Sequence, residues 1–360
     1  WSLMVKNPDF QQEFVMPKKD TTINWVWFNN TPYIPASGKD TTTFVFVTNL
    51  AKAIQSNSIK PGDSVSVRFG YNGSAAAVTT HLLVKKGLTG TLYVDTAKVI
   101  GVTVNAAKLG FFYQYYLTKN ATEYREVYYD FFWTGDPTQA ERRKASVTGK
   151  NITIVIYDTL TGGAAANRQP YWQSTVKLAR NVRVTFTCDL RPAYYHFLNG
   201  DSLFDVQSAF RNMGPGDKDS VYKWGVWMNG PAVGGWSNSG GNDWGVGLRT
   251  NLLKKMYDDG THGDKVAGDR FYTLQQMFYK DSLNNTVGQV FKFGLYAGDN
   301  EGGKGGYGNN HVENINDGAA TYTLASDFGS FNPKWFRAWN YDLHKQTSVS
   351  KVDGLPLSYA

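Results

Sequence analysis

Apolar and polar residues alternate one by one over much of this chain, the period of strands that bury one face. In the clearest run Val182, Val184, Phe186, Cys188 and Leu190 share a face, with Arg183, Thr185, Thr187 and Asp189 on the other. Such a strand places Cys188 in a core as a small hydrophobe rather than a reactive thiol. The same pattern predicts strands over Val65–Phe69, His81–Lys85, Gly90–Val94, Val99–Val104, Phe111–Leu117, Glu126–Phe132, Ile152–Ile156, Phe271–Phe278 and Phe291–Tyr296. Pro61-Gly62-Asp63, Asn72-Gly73, Asn199-Gly200-Asp201 and Asp353-Gly354 supply turn chemistry between strands. Helical periodicity is brief, and only Asn49–Gln55, Ser202–Phe210 and Asn251–Met256 are expected to make a turn or two. Many short strands at this spacing predict an all-β fold of two tandem antiparallel β-sandwich domains.

A weak internal repeat divides the chain. The first half carries strand Val65–Phe69, the tyrosine-rich strand from Phe111, a polar excursion through Glu141-Arg142-Arg143-Lys144, and a closing strand Ile152–Ile156. In the second half strand Val182–Leu190 is followed by Phe291–Tyr296, a Gly-rich excursion, His311–Ile315 and Thr321–Leu324. The expected organisation is an N-terminal module at 1–178 and a C-terminal module at 179–345 with a long insertion between 200 and 270. An extended tail occupies 346–360.

Composition narrows the function classes. At 360 residues the chain has length for about two domains, and 41% hydrophobic against 19% charged residues argues against disorder. A single cysteine rules out an internal disulfide and a Cys-rich zinc site. No apolar run reaches the ~20 residues of a membrane span. The net charge of +7 raises nucleic acid as a partner, but the basic residues are scattered rather than gathered into a stripe. A solvated, mildly basic exterior is expected, with no nucleic-acid partner. The first residue, Trp1, reads as the start of a mature form whose signal peptide has been removed.

Two motifs in the second half carry a resemblance. Leu253–Thr273 contains Asp258-Asp259-Gly260-Thr261-His262-Gly263-Asp264 and, further on, Ala267-Gly268-Asp269-Arg270-Phe271-Tyr272-Thr273. Ahead of it lies a Trp-, Asn- and Gly-rich stretch, Trp224-Gly225-Val226-Trp227-Met228-Asn229-Gly230 and Gly234-Gly235-Trp236-Ser237-Asn238. With the opening strand Val184–Leu190, these resemble the starch-binding-type β-sandwich modules of secreted or surface-attached bacterial proteins. Arg270 stands where that pattern usually has Gly. The resemblance covers about 180–325 and, more faintly, 60–158. It implies immunoglobulin-like or carbohydrate-binding-module-like sandwiches, an extracellular or cell-surface location, no catalysis, and recognition of an α-glucan-like glycan.

The chemistry of the residues leads the same way. A pyranose has an apolar face that stacks on indole, while amides satisfy its hydroxyls. Trp224, Trp227, Trp236 and Trp244, with Asn229 and Asn238, are therefore the candidate glycan-binding or intersubunit residues, unless some plug the ends of a sandwich. Asp258, Asp259, Asp264 and Asp269 on a glycine-bearing loop are candidate Ca²⁺ ligands, since Ca²⁺ takes 6–8 oxygens. The alternative is that these carboxylates cap backbone N–H groups of the turn. The five histidines show no ligand-spaced pair, and GxSxG, P-loop and CxxC motifs are absent, so no catalytic residue is expected. Sequons at Asn29, Asn72, Asn120, Asn151 and Asn284 are read as chance occurrences. The competing function is a self-assembling subunit of a filament or surface layer. Its apolar ends, Trp1–Val5 and Leu355–Tyr359, would add to a neighbour's sheet edge.

Overall fold

The fold is that of a computed structural model, which describes residues 2–7, 10–15, 41–56, 58–60, 62–70, 78–79, 91–100, 111–127, 143–145, 153–159, 168–236, 244–282, 285–303, 310–331 and 335–347. The strands of the first half are β1 (Ser2–Asn7), β2 (Phe10–Val15), β3 (Thr41–Asn49), β4 (Ser64–Gly70), β5 (Val78–Thr79), β6 (Leu92–Ile100), β7 (Phe111–Lys119), β8 (Thr122–Arg125), β9 (Arg143–Ala145) and β10 (Thr153–Asp158). One short helix, α1 (Ala51–Gln55), follows β3. β1 and β2 pair with each other, β3 lies between β10 and β6, and a second sheet runs β5-β4-β7-β8 with β9 also on β7.

Alternation decides which faces meet. Phe44 and Phe46 from β3, Ile156 from β10, Val67 from β4, and Tyr113, Tyr115 and Leu117 from β7 fill one core, closed by Tyr171 and Trp172. Phe46 and Tyr113 make the contact between the two sheets, ring centroids 5.5 Å apart. Inside this core sits an ion cluster. Arg143 donates to both Glu126 oxygens (Nη2 to Oε2 2.7 Å) and to Asp158 Oδ1 (3.0 Å), while the Tyr113 and Tyr115 hydroxyls donate to Asp158 at 3.1 and 2.7 Å. The basic run at 141–144 is therefore not wholly a solvated face, because Arg143 is buried against two carboxylates. A cation in an apolar core has to be paired, and only tertiary contacts supply those partners.

The second half holds β11 (Val182–Asp189), β12 (Val226–Asn229), β13 (Lys255–Met256), β14 (Phe271–Phe278), β15 (Gly288–Leu295), β16 (His311–Asn314), β17 (Thr321–Asp327), β18 (Trp339–Asn340) and β19 (Lys345–Gln346), with helices α2 (Arg191–Leu198) and α3 (Val246–Arg249). Its sheets run β14-β11-β17 and β13-β12-β15-β16. Val182, Val184, Phe186 and Cys188 point into the core as the alternation predicts, and burial pushes the Cys188 thiol far up, leaving it inert. Phe186 meets Phe291 of β15 edge-on at 5.2 Å, so the two sheets share one core.

Three expectations are corrected. The sheets are mixed rather than wholly antiparallel: β10 runs parallel to β3, and β17 parallel to β11. Parallel neighbours need long crossovers, which the chain between each pair provides. No helix forms over Ser202–Phe210. It lies earlier, at α2, where Asp189 Oδ1 accepts the Arg191 N–H (3.0 Å) and Pro192 occupies the first turn. Asn251–Met256 is a turn leading into β13, with the short α3 just before it. The expected strand His81–Lys85 and residues 348–360 of the tail lie outside the described residues.

Residues 168–178 run between the two cores, with Tyr171 and Trp172 in the first and Leu178 in the second. Asn314 fastens this segment by donating through Nδ2 to the Trp172 carbonyl (2.7 Å) and to Ser58 Oγ (2.9 Å), while its N–H donates to the Tyr171 hydroxyl (2.7 Å).

Candidate functional site

The four tryptophans do not form one platform. Trp227 and Trp244 are 5% and 2% exposed and pack with Leu248 and Ala297 in a small core of their own. This corrects their reading as sugar-stacking residues, because an indole with both faces covered offers nothing to a pyranose. The enclosure is strict. A Cβ on Gly294 would lie 2.4 Å from the Trp244 ring and from the Gly298 carbonyl. Trp236 is half-buried at the edge of this group, 6.5 Å from Trp244. Asn229 is fully buried, where its Oδ1 accepts from Lys254 Nζ (2.8 Å) and its Nδ2 donates to the Trp236 carbonyl (3.3 Å). Its amide is thereby used inside the protein. Asn238 lies outside the described residues.

Trp224, like Trp236, is half-buried, and it lies at the margin of the large core. Around it the chain gathers residues that the sequence did not single out. Phe210 lies 6.3 Å from Trp224 and 4.5 Å from Tyr296. The Arg211 guanidinium covers Phe210 (5.3 Å) and Trp224 (5.5 Å), held in plane by a two-pronged pair with Asp217 at 2.7 and 3.0 Å. That pairing keeps the Asp217 carboxyl below its ordinary range. Arg249, from α3, stacks on Tyr296 at 3.9 Å and has no ion-pair partner among the described residues. Guanidinium groups stacked on rings present planar donors beside apolar faces. The only local hint in the sequence was the Phe210-Arg211 dipeptide. Arg249 of α3 and Tyr296, which follows β15, are brought together only by tertiary packing, which no local pattern reveals.

On the acidic loop every aspartate caps backbone. Asp258 accepts N–H groups of Gly268 (2.7 Å), Asp269 (3.1 Å) and Arg270 (3.2 Å), Asp264 accepts from Gly260 (2.7 Å), and Asp269 from Phe271 (3.0 Å). Oxygens of Asp258, Asp264 and Asp269 nevertheless converge within 4.8 Å of one another, a donor set suited to a hard cation. Burial, then the charges of Asp269 and Asp264, push Asp258 above its ordinary value. Asp259 stands apart, capping Thr261. Arg270 adopts φ +77°, the left-handed region that glycine enters freely, and its guanidinium lies 4.2 Å from the Tyr222 ring.

No helix among the described residues is long and apolar enough to cross a membrane. Set against protein-family models, the curated proteins and the solved structures, the chain matches none.

Proposed function

We propose that this chain is a non-catalytic, glycan-recognising protein of a bacterial cell surface, built of two β-sandwich modules, and that sugar rests on the surface around Trp224. The observation that carries this is the grouping of a half-buried indole with Phe210, Tyr296 and two ring-stacked arginines, one of them without an anionic partner among the described residues. Apolar faces beside fixed donors are what a pyranose ring with equatorial hydroxyls requires. The resemblance of 184–190 and 258–273 to starch-binding-type modules supports the same ligand class, and Arg270 fits that pattern by taking the backbone conformation of the glycine it replaces.

Electrophoresis through gels containing amylopectin tests the proposal. Retardation of the native chain is expected, and Trp224→Ala should weaken binding about 5- to 150-fold, by analogy with base–aromatic stacking of ~1–3 kcal/mol. Arg249→Ala should weaken it with the melting temperature unchanged. Migration unaffected by a range of neutral polysaccharides would overturn it.

A second reading, self-association of copies, is favoured by one observation. Val246, Leu252 and Leu253 are 69%, 64% and 82% exposed within eight residues. Size-exclusion chromatography and negative-stain microscopy decide this, with polymers supporting a filament or surface-layer subunit and a monomer of ~40 kDa opposing it.

A further inference from the structure

A cleft of about 470 Å³ opens between the C-terminal end of α2 and the segment after β17, lined by His196, Asp201, Ser202, Phe204, Trp335 and Arg337. Its size falls within the ~300–1,000 Å³ of small-molecule sites. The Asn199-Gly200-Asp201 turn builds one wall: Gly200 takes φ +92°, and the Asp201 N–H returns to the His196 carbonyl at 3.1 Å. Trp335 and Phe204 form the apolar wall, ring centroids 5.7 Å apart. Trp335 is seated directly on Gly303, where a Cβ would lie 2.4 Å from the indole.

Two buried polar atoms here lack a partner. His196 is 1% exposed, and its Nε2 donates to the Ser202 carbonyl (3.1 Å), which leaves Nδ1 as a bare acceptor. Burial lowers the pKa of this imidazole, so it is neutral at pH 7. Nδ1 faces Asp201 Oδ2 at 3.7 Å, so two acceptors look at each other with no donor between them. The Trp335 Nε1–H is a buried donor without an acceptor. Unmet groups of this kind are costly in a finished core and are expected where a ligand completes them. Arg337 adds an exposed donor, its Nη2 3.3 Å from Asp201 Oδ1.

We propose that this cleft is a second carbohydrate subsite, which takes one neutral pyranose residue. The ring's apolar face lies on Trp335, one hydroxyl donates toward His196 Nδ1 and Asp201, and Arg337 donates to another. The proposal rests on the glycan reading for its ligand class but on none of the residues around Trp224.

The test is ligand-observed NMR titration of the full chain with methyl α-D-glucopyranoside, methyl β-D-galactopyranoside and methyl α-D-mannopyranoside. At least one should bind with a dissociation constant on the order of 1 mM. Trp335→Ala should weaken that binding at least tenfold, and Arg337→Ala, at an exposed position, severalfold. Lys218→Ala is the control at an exposed site. If Trp335→Ala does not fold, Asp201→Asn replaces it, with a severalfold loss expected. Absence of binding at tens of millimolar for all three glycosides overturns the proposal, and so does binding indifferent to these substitutions. A chain retarded by amylopectin that binds no methyl glycoside overturns the cleft alone. One that binds a glycoside through Trp335 but is not retarded overturns only the Trp224 surface.

Discussion

Asp158 should make the protein less stable as pH rises from about 4 to about 7. Arg143 is one buried cation shared by two buried carboxylates, Glu126 and Asp158, so the cluster carries a net negative charge when all are ionised. Burial pushes Asp158 up from its ordinary 3.8 to about 6, against the opposing pull of Arg143 and the Tyr115 hydroxyl. Because the folded value is raised, the folded state binds the proton more tightly than the unfolded chain does. The stabilisation is complete below about pH 4 and is lost as pH climbs through 6. A gap of about two pH units is equivalent to about 3 kcal/mol. In Asp158→Asn the side chain is permanently neutral, and the Tyr115 hydroxyl can still donate to Thr48, its neighbour at 2.7 Å. Urea unfolding of both proteins should be followed from pH 4 to 8, and the variant's stability subtracted from the native chain's at each pH. Contributions from groups more than about 10 Å from Asp158 cancel in that difference. It should fall by about 3 kcal/mol between pH 4 and 7 and then level off. A flat difference, or one that rises with pH, would show that Asp158 is ionised throughout and refute the reasoning.

Other consequences are simpler to measure. Trp227→Ala and Trp244→Ala should each destabilise the fold by about 3–5 kcal/mol in thermal melts, whereas Trp224→Ala should cost much less. If Asp258, Asp264 and Asp269 hold Ca²⁺, the ion at 100 times its dissociation constant adds about 2.7 kcal/mol. Chelation should then lower the melting temperature by a few degrees, and Asp264→Asn should abolish that response; identical melts with and without chelator leave the carboxylates as turn caps. Arg270→Gly should be more stable than Arg270→Ala by about 1 kcal/mol, since both remove the guanidinium but only glycine relieves φ +77°. Equal stability would mean that the backbone there is not held in the left-handed region.

The sequence by itself determined that the chain is built of strands and, in β7 and β11, which face turns inward, but it did not mark β3 or β12 as strands. Val184, Phe186 and Cys188, or Tyr113, Tyr115 and Leu117, are sorted by a period of two that acts within one strand and needs no partner. Turn chemistry was equally local, and it marked Asn199-Gly200-Asp201 as a turn, which the structure sets after α2 rather than between strands. The α2 helix itself escaped notice because its buried face, Ala193, His196 and Phe197, spans little more than one turn. Only the tertiary structure decided which strands became neighbours, and hence the parallel pairs β3–β10 and β11–β17. It also decided that Arg143 is a core residue and that Trp227 and Trp244 are covered while Trp224 is only half-buried. Composition tells how many aromatic rings exist but not what lies against each. The same holds for the cleft: His196 and Trp335 are distant in sequence, and their unpaired Nδ1 and Nε1 acquire meaning only when folding sets them 5.8 Å apart, centroid to centroid.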